Sequence, residues 1–564
     1  MVAEQPPGTP IPEREDFPVI WAHPADAFLH WTRDTEHVAG PSAPIMASLP
    51  WVHDGIRHGY AYWEVPLADV RRHRFNTFEF SAEVPLVLGE EELRARAARA
   101  QQKLDALCAD VEAHFQRLWW PRIEGSLQTL EGLPPAGATD AELAEAFDRA
   151  DAAGRTLWEV HFELVFGCSY VQGELDRFCR DLFGPETEFG TRLFTAGGHS
   201  WSVADGEALV DLAAFVAAHP DLARVVAAGS WADVDASLSK GPGGAEFRDR
   251  FVHFIKVHGQ KLVGAFTDPT WDEEPTLPLQ NLRGILDRGG GIARAQRLDV
   301  VAARDARLRE VRTRLQGYPR MVQEEFDTLL RNAAFASRLM EDHNFYIDQK
   351  APYHFRRIVM EFARRLAARG ILDQVQDVEL LETGELVPAL RGEMDGLKER
   401  VFERRAEMER WRDFEAPTEL GTVGAPPPAH PLFDGEDASL PPTAGPDDPG
   451  LLRGLPASHG RVTGVARVLR TIAEAPALQA GEILVTGTTN PSWATWFPML
   501  GGLVTEAGGA LSHAAVVARE FGIPAVLAVP AATRRIITGM RLELDGDAGT
   551  VRVLGEGSSR DRSL

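Results

Sequence analysis

Cysteine is scarce in this sequence, with only three residues in a chain of 564. Three cysteines at such wide spacings can form neither a disulfide framework nor a cysteine-ligated zinc site. A reducing compartment is therefore expected. The three are Cys108, Cys168 and Cys179.

Basic residues are also few compared with acidic ones. Lys and Arg total 59 against 83 Asp and Glu, so the formal net charge is −24. A surface of this sign repels phosphate backbones, which excludes nucleic acid as the main partner. Hydrophobic residues make up 44% and charged residues 25%, as in ordinary soluble globular proteins. At roughly 150 residues per domain, the length predicts three or four folding units.

No stretch has the pattern of a targeting signal or a membrane span. Met1–Asp16 is polar and rich in proline, unlike a signal peptide. The longest run without a charged residue, Ile483–Thr505, contains two prolines and several glycines and threonines, which favour strands and turns over a lipid-exposed helix. The prediction is a cytoplasmic protein without a membrane partner.

One stretch divides the sequence into two parts of different texture. Residues 416–450 contain nine prolines and no apolar periodicity, which predicts an extended linker. Before it, apolar residues recur at three- and four-residue steps, as in the series from Leu104 to Leu118, which predicts helices. After it, runs such as Arg461–Leu469 and Gly481–Thr486 predict strands. The predicted fold class is multidomain α+β, with a large, mainly α-helical domain (1–415), a Pro-rich linker (416–450) and a C-terminal α/β domain (451–564).

The two parts also differ in charge. Residues 451–564 contain 11 arginines, no lysine and 9 acidic residues, a net charge of +2, so residues 1–450 carry −26. Opposite charges should favour docking of the C-terminal part on the rest of the chain, and salt should weaken this attraction by screening.

The most informative motif lies between Thr505 and Val526. A predicted strand leads into the pair Gly508-Gly509 and then into an alanine-rich helix, with Ser512 as a suitable N-cap and His513 in the first turn. Glycines let backbone N–H groups approach a bulky ligand, and a helix N-terminus attracts an anion. The same helix dipole favours the neutral imidazole. A neutral histidine facing an anion pocket has the properties that a phosphohistidine requires.

Short segments around this motif follow one another in a familiar order. They resemble the swivelling phosphohistidine domain of the phosphoenolpyruvate-utilising enzymes, such as phosphoenolpyruvate synthase, pyruvate phosphate dikinase and rifampin phosphotransferase. The resemblance covers about Leu451–Leu554 and implies that His513 accepts a phosphoryl group and passes it on. The segments are Gly454–Ser458, Gly460–Gly464, Gly481–Val485, Thr505–Val526 and Asp545-Gly546.

The resemblance also implies which residues surround the phosphoryl group. Thr505, Gly508-Gly509 and Ser512 match motif positions beside it. Arg519 matches as well, but it lies about 240° around the helix from His513, so an ion pair within the fold is an equal alternative for this residue. No metal site is predicted in this chain.

The first 415 residues resemble the substrate domain of rifampin phosphotransferase-like proteins in five short segments. A substrate domain, a linker and a phosphohistidine domain in this order, without an ATP-grasp domain, is similar to the large subunit of phenylphosphate synthase. The resemblance implies that a separate ATP-grasp subunit binds ATP and Mg²⁺ and phosphorylates this chain. The five segments are Trp31–Asp34, Gly197–Ser200, Gly259–Lys261, Asp268–Trp271 and Glu341–Phe345.

Phosphoryl transfer to a hydroxyl group needs a base for the proton and cations for the phosphoryl oxygens. On an ideal helix, His343, Tyr346 and Lys350 would share one face, so His343 is the first candidate base and Lys350 a candidate charge partner. Asp342 in the same stretch and His199 in a Gly-Gly-His-Ser turn are further candidates. A solvated helix face and a turn stabiliser are the alternatives that involve no ligand.

Three functions remain open at this point. The first is phosphoryl transfer from ATP through His513 to a small phenolic hydroxyl, such as that of phenol or a hydroxyaryl ketone like 4-hydroxyacetophenone. The second keeps this relay but takes an antibiotic or an aliphatic alcohol as the acceptor. The third is a non-catalytic phosphohistidine carrier or regulator. The sequence leaves the acceptor, the oligomeric state and the choice between AMP and ADP as product undecided.

Overall fold

The β-branched and leucine-rich runs that predicted strands in the C-terminal part form the strands of a sheet, and most of the preceding chain is helical. The computed structural model describes residues 9–35, 38, 40–184, 190–198, 200–238, 241–262, 264–289, 292–423, 430–433, 450–509 and 512–556. The strands are β1 (His30–Arg33), β2 (Leu67–Phe75), β3 (Phe78–Pro85), β4 (Glu419–Gly421), β5 (Leu451–Arg453), β6 (Leu455–Ser458), β7 (Arg461–Val468), β8 (Ile483–Thr486), β9 (Gly502–Thr505), β10 (Ala525–Leu527), β11 (Met540–Asp545) and β12 (Thr550–Glu556).

The α-helices are α1 (Pro44–Ala47), α2 (Trp51–Tyr62), α3 (Glu90–Ala109), α4 (Val111–His114), α5 (Trp120–Glu131), α6 (Asp140–Phe183), α7 (Thr191–Phe194), α8 (Trp201–Ala217), α9 (Pro220–Val226), α10 (Trp231–Leu238), α11 (Gly244–His258), α12 (Thr276–Asp287), α13 (Ile292–Leu315), α14 (Arg320–His343), α15 (Lys350–Ala368), α16 (Thr383–Leu390), α17 (Leu397–Trp411), α18 (His513–Glu520) and α19 (Ala532–Arg535). Two π-helical turns, Phe115–Trp119 and Asn344–Gln349, continue α4 and α14. The predicted fold class, multidomain α+β, is confirmed. Within the described ranges, no helix has both the length and the apolar character of a membrane span.

The chain divides into two compact units. Unit 1 consists of Met1–Glu174 and Tyr346–Glu436, and unit 2 consists of Leu175–Phe345 and Asp437–Leu564. Each unit therefore combines two distant stretches of sequence. The predicted boundaries at 415 and 450 remain predictions, because much of the predicted linker, residues 424–429 and 434–449, lies outside the described residues.

Unit 1 contains an antiparallel sheet that the sequence patterns did not reveal. Its strand order is β2-β3-β1-β4, and β4 lies within the predicted linker, where Leu420 pairs with Trp31 of β1. Three arginines and a histidine obscure the alternation of β2 in the sequence. The chain after residue 416 thus begins as part of a sheet rather than as a spacer.

The apolar residues from Leu104 to Leu118 were predicted to form one helix face, but the extended Asp110 ends α3 and begins α4 within this series. Leu104, Leu107, Val111 and Phe115 are buried, but Leu118 is 48% exposed. Leu118 lies in the π-helical turn Phe115–Trp119, whose wider spacing turns this side chain away from the face that regular α-helical periodicity predicts.

Unit 2 contains the predicted C-terminal sheet, with the strand order β5-β12-β11-β7-β8-β9-β10-β6. The strands β7, β8, β9 and β10 run parallel, and β8 and β9 are buried along their whole length, as expected for parallel strands covered on both faces. The helix α18 connects β9 to β10. Because β8 and β9 are parallel neighbours, the loops that follow them lie at the same edge of the sheet.

The end of α18 follows from Gly522. Its φ of +62° is the left-handed conformation that glycine adopts without strain. The N–H of Gly522 donates to the carbonyl of Arg519, and the N–H of Ile523 donates to that of Ala518. This pair of bonds is the Schellman motif, which ends the helix and directs the chain into β10.

Candidate active site

His513 lies where the sequence placed it, as the first residue of α18. Its side chain is 9% exposed, although the residue stands at a helix N-terminus next to a loop. Nε2 of His513 is a buried ring nitrogen that has no hydrogen-bond partner among the described residues.

The glycine pair before α18 has two different roles. Gly508 has a φ of +117°, and a Cβ atom at this position would come within 3.0 Å of the Oγ of Ser512. Gly509 has no atom within 4 Å of such a Cβ. Gly508 is thus required by the turn itself, whereas Gly509 leaves open space at the helix N-terminus.

Thr505 and Ser512 hold this turn through their hydroxyl groups. The Oγ1 of the fully buried Thr505 donates to the carbonyl oxygen of Ala507 over 2.6 Å. Ser512 is the N-cap residue of α18, as predicted, but its hydroxyl donates back to the carbonyl of Gly509 rather than accepting from the helix. The first-turn N–H groups of α18 are therefore not capped by Ser512 and remain suited to an anion.

The nearest charged partner of His513 is Glu341, which sequence reasoning did not single out as a site residue. The Nδ1 of His513 lies 3.2 Å from the Oε2 of Glu341, and the carboxylate is 4% exposed. A carboxylate only accepts hydrogen bonds, so the proton of a neutral ring lies on Nδ1 and the lone pair on Nε2. The only sequence signal was the position of Glu341 at the start of the Glu341–Phe345 segment.

Arg519 occupies the last turn of α18, and one of its nitrogens donates to the carbonyl of Ala457 in β6 over 3.1 Å. This contact joins the helix to the sheet, so Arg519 has a structural role, which was one of the two alternatives from the sequence. A role of Arg519 in phosphate binding remains a prediction.

The predicted acceptor-site residues of α14 are buried and bonded within the fold. Asp342 accepts a hydrogen bond from the N–H of Trp201, the first residue of α8, and pairs with Arg338 at 3.1 Å. The Nδ1 of His343 donates to the carbonyl of Leu339 over 3.0 Å, so the lone pair of the neutral ring lies on Nε2. Because both residues are buried, the alternative of a solvated helix face does not apply to them. Their role towards a substrate remains a prediction.

Lys350 begins α15 in unit 1, whereas His343 ends α14 in unit 2. The π-helical turn Asn344–Gln349 lies between them, so the regular α-helical spacing behind their predicted common face is interrupted. In α15, burial, Arg357 and Lys350 together lower the pKa of His354 to about 4. His199, the remaining candidate, lies outside the described residues.

A cavity of about 690 Å³ lies in unit 1, between the first strands of the sheet and α2. Its lining includes the indole of Trp31 and three arginines balanced by three aspartates. His53 also lines it, and burial together with Arg72 and Arg57 lowers the pKa of this histidine to about 3. None of the predicted site residues that the structure describes lines this cavity.

At the far end of α18, Glu520 ties the helix to the helical part of unit 2. It pairs with Arg297 of α13 at 2.9 Å and accepts a hydrogen bond from the N–H of Gly197 over 3.0 Å. Burial raises the pKa of Glu520 to about 7, although Arg297 acts in the opposite direction. Arg297 also pairs with Glu207 of α8. Both ends of the His513 helix are thus bonded to helices that precede the linker.

Two protein-family models match parts of this chain. Residues 478–549 match the mobile domain of PEP-utilising enzymes, and residues 161–341 match the fourth domain of rifampicin phosphotransferase. The first match contains His513 and the second contains Glu341, so the two residues that meet in the structure come from the two matched regions.

Three curated relatives illustrate the similarity. Chondramide synthase cmdD of Chondromyces crocatus is 29% identical over 570 residues, which cover 98% of this chain and 14% of the relative. A rifampicin phosphotransferase of Streptomyces sviceus is 34% identical over 62% of this chain and 39% of the relative. The uncharacterised phosphotransferase YvkC of Bacillus subtilis is 26% identical over 76% of this chain and 51% of the relative. The chain therefore spans between about a seventh and a half of the length of these proteins.

Proposed function

The chain belongs to the family of PEP-utilising enzymes, and from this membership we propose that it relays a phosphoryl group through Nε2 of His513 to the hydroxyl of a small acceptor. The observation that carries the proposal is the environment of this ring. Glu341 holds the proton on Nδ1, while Nε2 is buried and has no partner among the described residues.

The relay has two steps. In the first, the lone pair of Nε2 attacks the phosphorus of the donor, the bond to the leaving oxygen breaks, and Glu341 stabilises the positive charge that develops on the ring. The uncapped N–H groups at the start of α18 and the space beside Gly509 accommodate the phosphoryl oxygens. In the second step, the acceptor oxygen attacks phosphorus, the P–N bond breaks, and its electron pair returns to the ring.

The donor of this relay is ATP, bound with Mg²⁺ by an ATP-grasp partner. A magnesium ion prefers several oxygen ligands in octahedral geometry. The carboxylate that lies against His513 is that of Glu341, and it is already engaged by the ring. The surroundings of His513 thus do not fit a resident metal ion, which supports binding of ATP and Mg²⁺ outside this site.

The acceptor is a small phenolic compound, such as phenol or 4-hydroxyacetophenone. An antibiotic or an aliphatic alcohol is the second candidate, supported by the name of the rifampicin phosphotransferases among the relatives. A non-catalytic phosphohistidine carrier is the third, and the buried helical half of the site, including Glu341, speaks against it. Incubating the full chain with ATP, Mg²⁺, an ATP-grasp protein and a panel of hydroxyl compounds, followed by chromatography, distinguishes the three.

Replacing His513 with Ala should abolish phosphorylation of every acceptor, because no other group in the site replaces the ring nitrogen. The matched control is His459→Ala, since His459 lies in the same C-terminal part (451–564), is exposed and pairs with Asp547 at the surface. Mass spectrometry of the peptide that contains residue 513 measures the intermediate. Turnover above a trace by His513→Ala would rule out the phosphohistidine relay.

A further inference from the structure

A buried charged cluster in unit 2 takes no part in the steps described so far. It consists of Asp205 of α8, His258 at the end of α11, and Lys261 in the loop that follows. The carboxylate of Asp205 binds the Nδ1 of His258 with one oxygen and the Nζ of Lys261 with the other, the latter over 2.5 Å. The side chains of Asp205 and Lys261 are only 2% and 1% exposed.

Asp205 is ionised in spite of its complete burial. Burial raises its pKa, but Lys261 and His258 outweigh that effect, and the pKa of Asp205 lies below its usual value. Burying a carboxylate and an ammonium group together is expensive in free energy even when they are paired. Apolar residues could pack α8 against the loop after α11 at a lower cost in free energy. A purely structural role therefore does not explain why a histidine belongs to this cluster.

His258 is oriented by this carboxylate in the manner of a general base. Because Asp205 accepts from Nδ1, the proton of the neutral ring lies on Nδ1 and the lone pair on Nε2. Nε2 of His258 makes no hydrogen bond with the described residues, and the side chain of His258 is 10% exposed. A histidine that serves packing alone would have no need of a charged partner on one side and an open nitrogen on the other.

Two chains of contacts connect the cluster with the phosphoryl site. In the first, the carbonyl of Leu262 accepts a hydrogen bond from the Oγ of Ser492 over 2.6 Å. Ser492 follows β8 and His513 follows β9. Thr486 at the end of β8 is paired with Thr505 at the end of β9, so both segments leave the same edge of the sheet. The loop after His258 therefore touches the edge that carries His513.

The second chain of contacts runs through aromatic rings. The indole of Trp201 lies 6.3 Å from the ring of His258, measured between centroids, and stacks on Phe345 at 4.2 Å. The backbone N–H of Trp201 donates a hydrogen bond to Asp342. Asp342 is next in sequence to Glu341, the residue that binds His513. The indole of Trp201 thus lies beside His258, and the backbone of Trp201 is bonded to the residue next to Glu341.

We propose that His258, oriented by Asp205, is the base that deprotonates an aromatic hydroxyl acceptor lying against Trp201. This inference rests on the proposed relay through His513. The acceptor oxygen forms its bond to the phosphorus of phospho-His513 while the P–N bond breaks and returns its electron pair to the His513 ring. The hydroxyl proton moves to Nε2 of His258 and leaves from there to solvent.

The test separates the two half-reactions in the full chain. Phosphoramidate, a small phosphoryl donor, should load His513 without any partner protein. Mass spectrometry of the peptide with residue 513 then follows loss of the phosphate to phenol or to 4-nitrophenol. His258→Gln should slow discharge to phenol about 100-fold. It should slow discharge to 4-nitrophenol far less, because this phenol ionises readily and needs little help from a base. His253→Gln, an exposed histidine of the same helix, is the matched control and should change neither rate.

A second variant guards against a folding defect. Asp205→Asn keeps the side-chain volume and leaves His258 in place, but the amide no longer holds the His258 ring in the tautomer with its lone pair on Nε2. Discharge to phenol should therefore slow much more than discharge to 4-nitrophenol, as in His258→Gln. The melting temperature of the variant is measured as well. Three results would each overturn the assignment of His258. The variants could slow discharge to both phenols equally, they could slow neither, or phospho-His513 of the wild-type chain could transfer to neither phenol. If His513 takes no phosphate at all, the relay itself fails, and this is seen before any acceptor is added.

Discussion

Glu341 stands 172 positions before His513 in the sequence, and only folding brings the two side chains within 3.2 Å of each other. The contact decides which ring nitrogen is available. With Nδ1 held by a carboxylate, the nucleophilic lone pair is on Nε2, and the charge that develops during attack is stabilised at short range. Glu341 is a positioning residue in this account, since it acts through the ring.

Replacing Glu341 with Gln should slow phosphorylation of His513 about 100-fold, because the amide carries no charge and can hold the ring in either tautomer. The rate of label incorporation at residue 513 measures the effect. Glu325→Gln makes the same chemical change at an exposed position of the same helix and should leave the rate unchanged. A wild-type rate for Glu341→Gln would mean that the carboxylate does not orient the ring.

At the scale of elements, the turn between β9 and α18 places the N-terminus of the helix. Gly508 adopts a φ that side chains disfavour and leaves too little room for a Cβ atom beside Ser512, whereas Gly509 meets neither restriction. Substitutions at these two glycines therefore separate the effect of the turn on stability from the effect of space at the helix N-terminus on phosphoryl binding.

Gly508→Ala should lower the free energy of unfolding by roughly 1–3 kcal/mol through backbone strain and displace His513. Gly509→Ala should leave stability unchanged within about 0.5 kcal/mol, while a methyl group at this position impedes approach of the phosphoryl oxygens and slows loading of His513. Denaturation curves and labelling rates of both variants check this. Full loading by Gly509→Ala would place the phosphoryl group away from this glycine.

At the scale of the whole molecule, the net charges of the two parts predict the opposite sign from one of their contacts. The C-terminal part carries +2 and the preceding residues −26, which predicts arginines of the former on acids of the latter. At the far end of α18 the reverse occurs, since the acid Glu520 of the C-terminal part binds the base Arg297 of the helical part. Specific desolvated pairs, not the overall field, define this contact.

Glu520 should make the stability of unit 2 depend on pH. Its pKa of about 7 in the fold lies above the ordinary value of 4.5, so between these values unfolding releases a proton. The contribution is complete below pH 4.5 and is lost as the pH rises through 7, with a magnitude on the order of 3 kcal/mol. The melting temperature of the wild-type chain should therefore fall more steeply from pH 5 to pH 7.5 than that of Glu520→Gln. Parallel curves would show that Glu520 ionises normally in the fold.

Much of the C-terminal part could be predicted because its signals are local. The strands after the linker, the position of Ser512 before α18 and the end of this helix near Gly522 each depend on residues close together in sequence. The sheet of unit 1 escaped prediction because the arginines of β2 hide its alternation, and the exposure of Leu118 escaped it because a π-helical turn interrupts the periodicity. Local patterns predict elements well only where the backbone follows the regular period.

The sequence by itself predicted the resemblance to PEP-utilising enzymes, the fold class and the position of His513 at the start of a helix. This was possible because the motif around His513 is one short strand, turn and helix whose glycines and cap act on their immediate neighbours. Tertiary structure alone decided which residues meet this histidine. Glu341 meets His513 from a distant helix, and Asp205 meets His258 from another helix in the same way. Charged side chains such as these appear in a sequence like any solvated residue. Their pairing becomes visible only when folding removes them from water, because burial without a partner would cost more than the fold can supply.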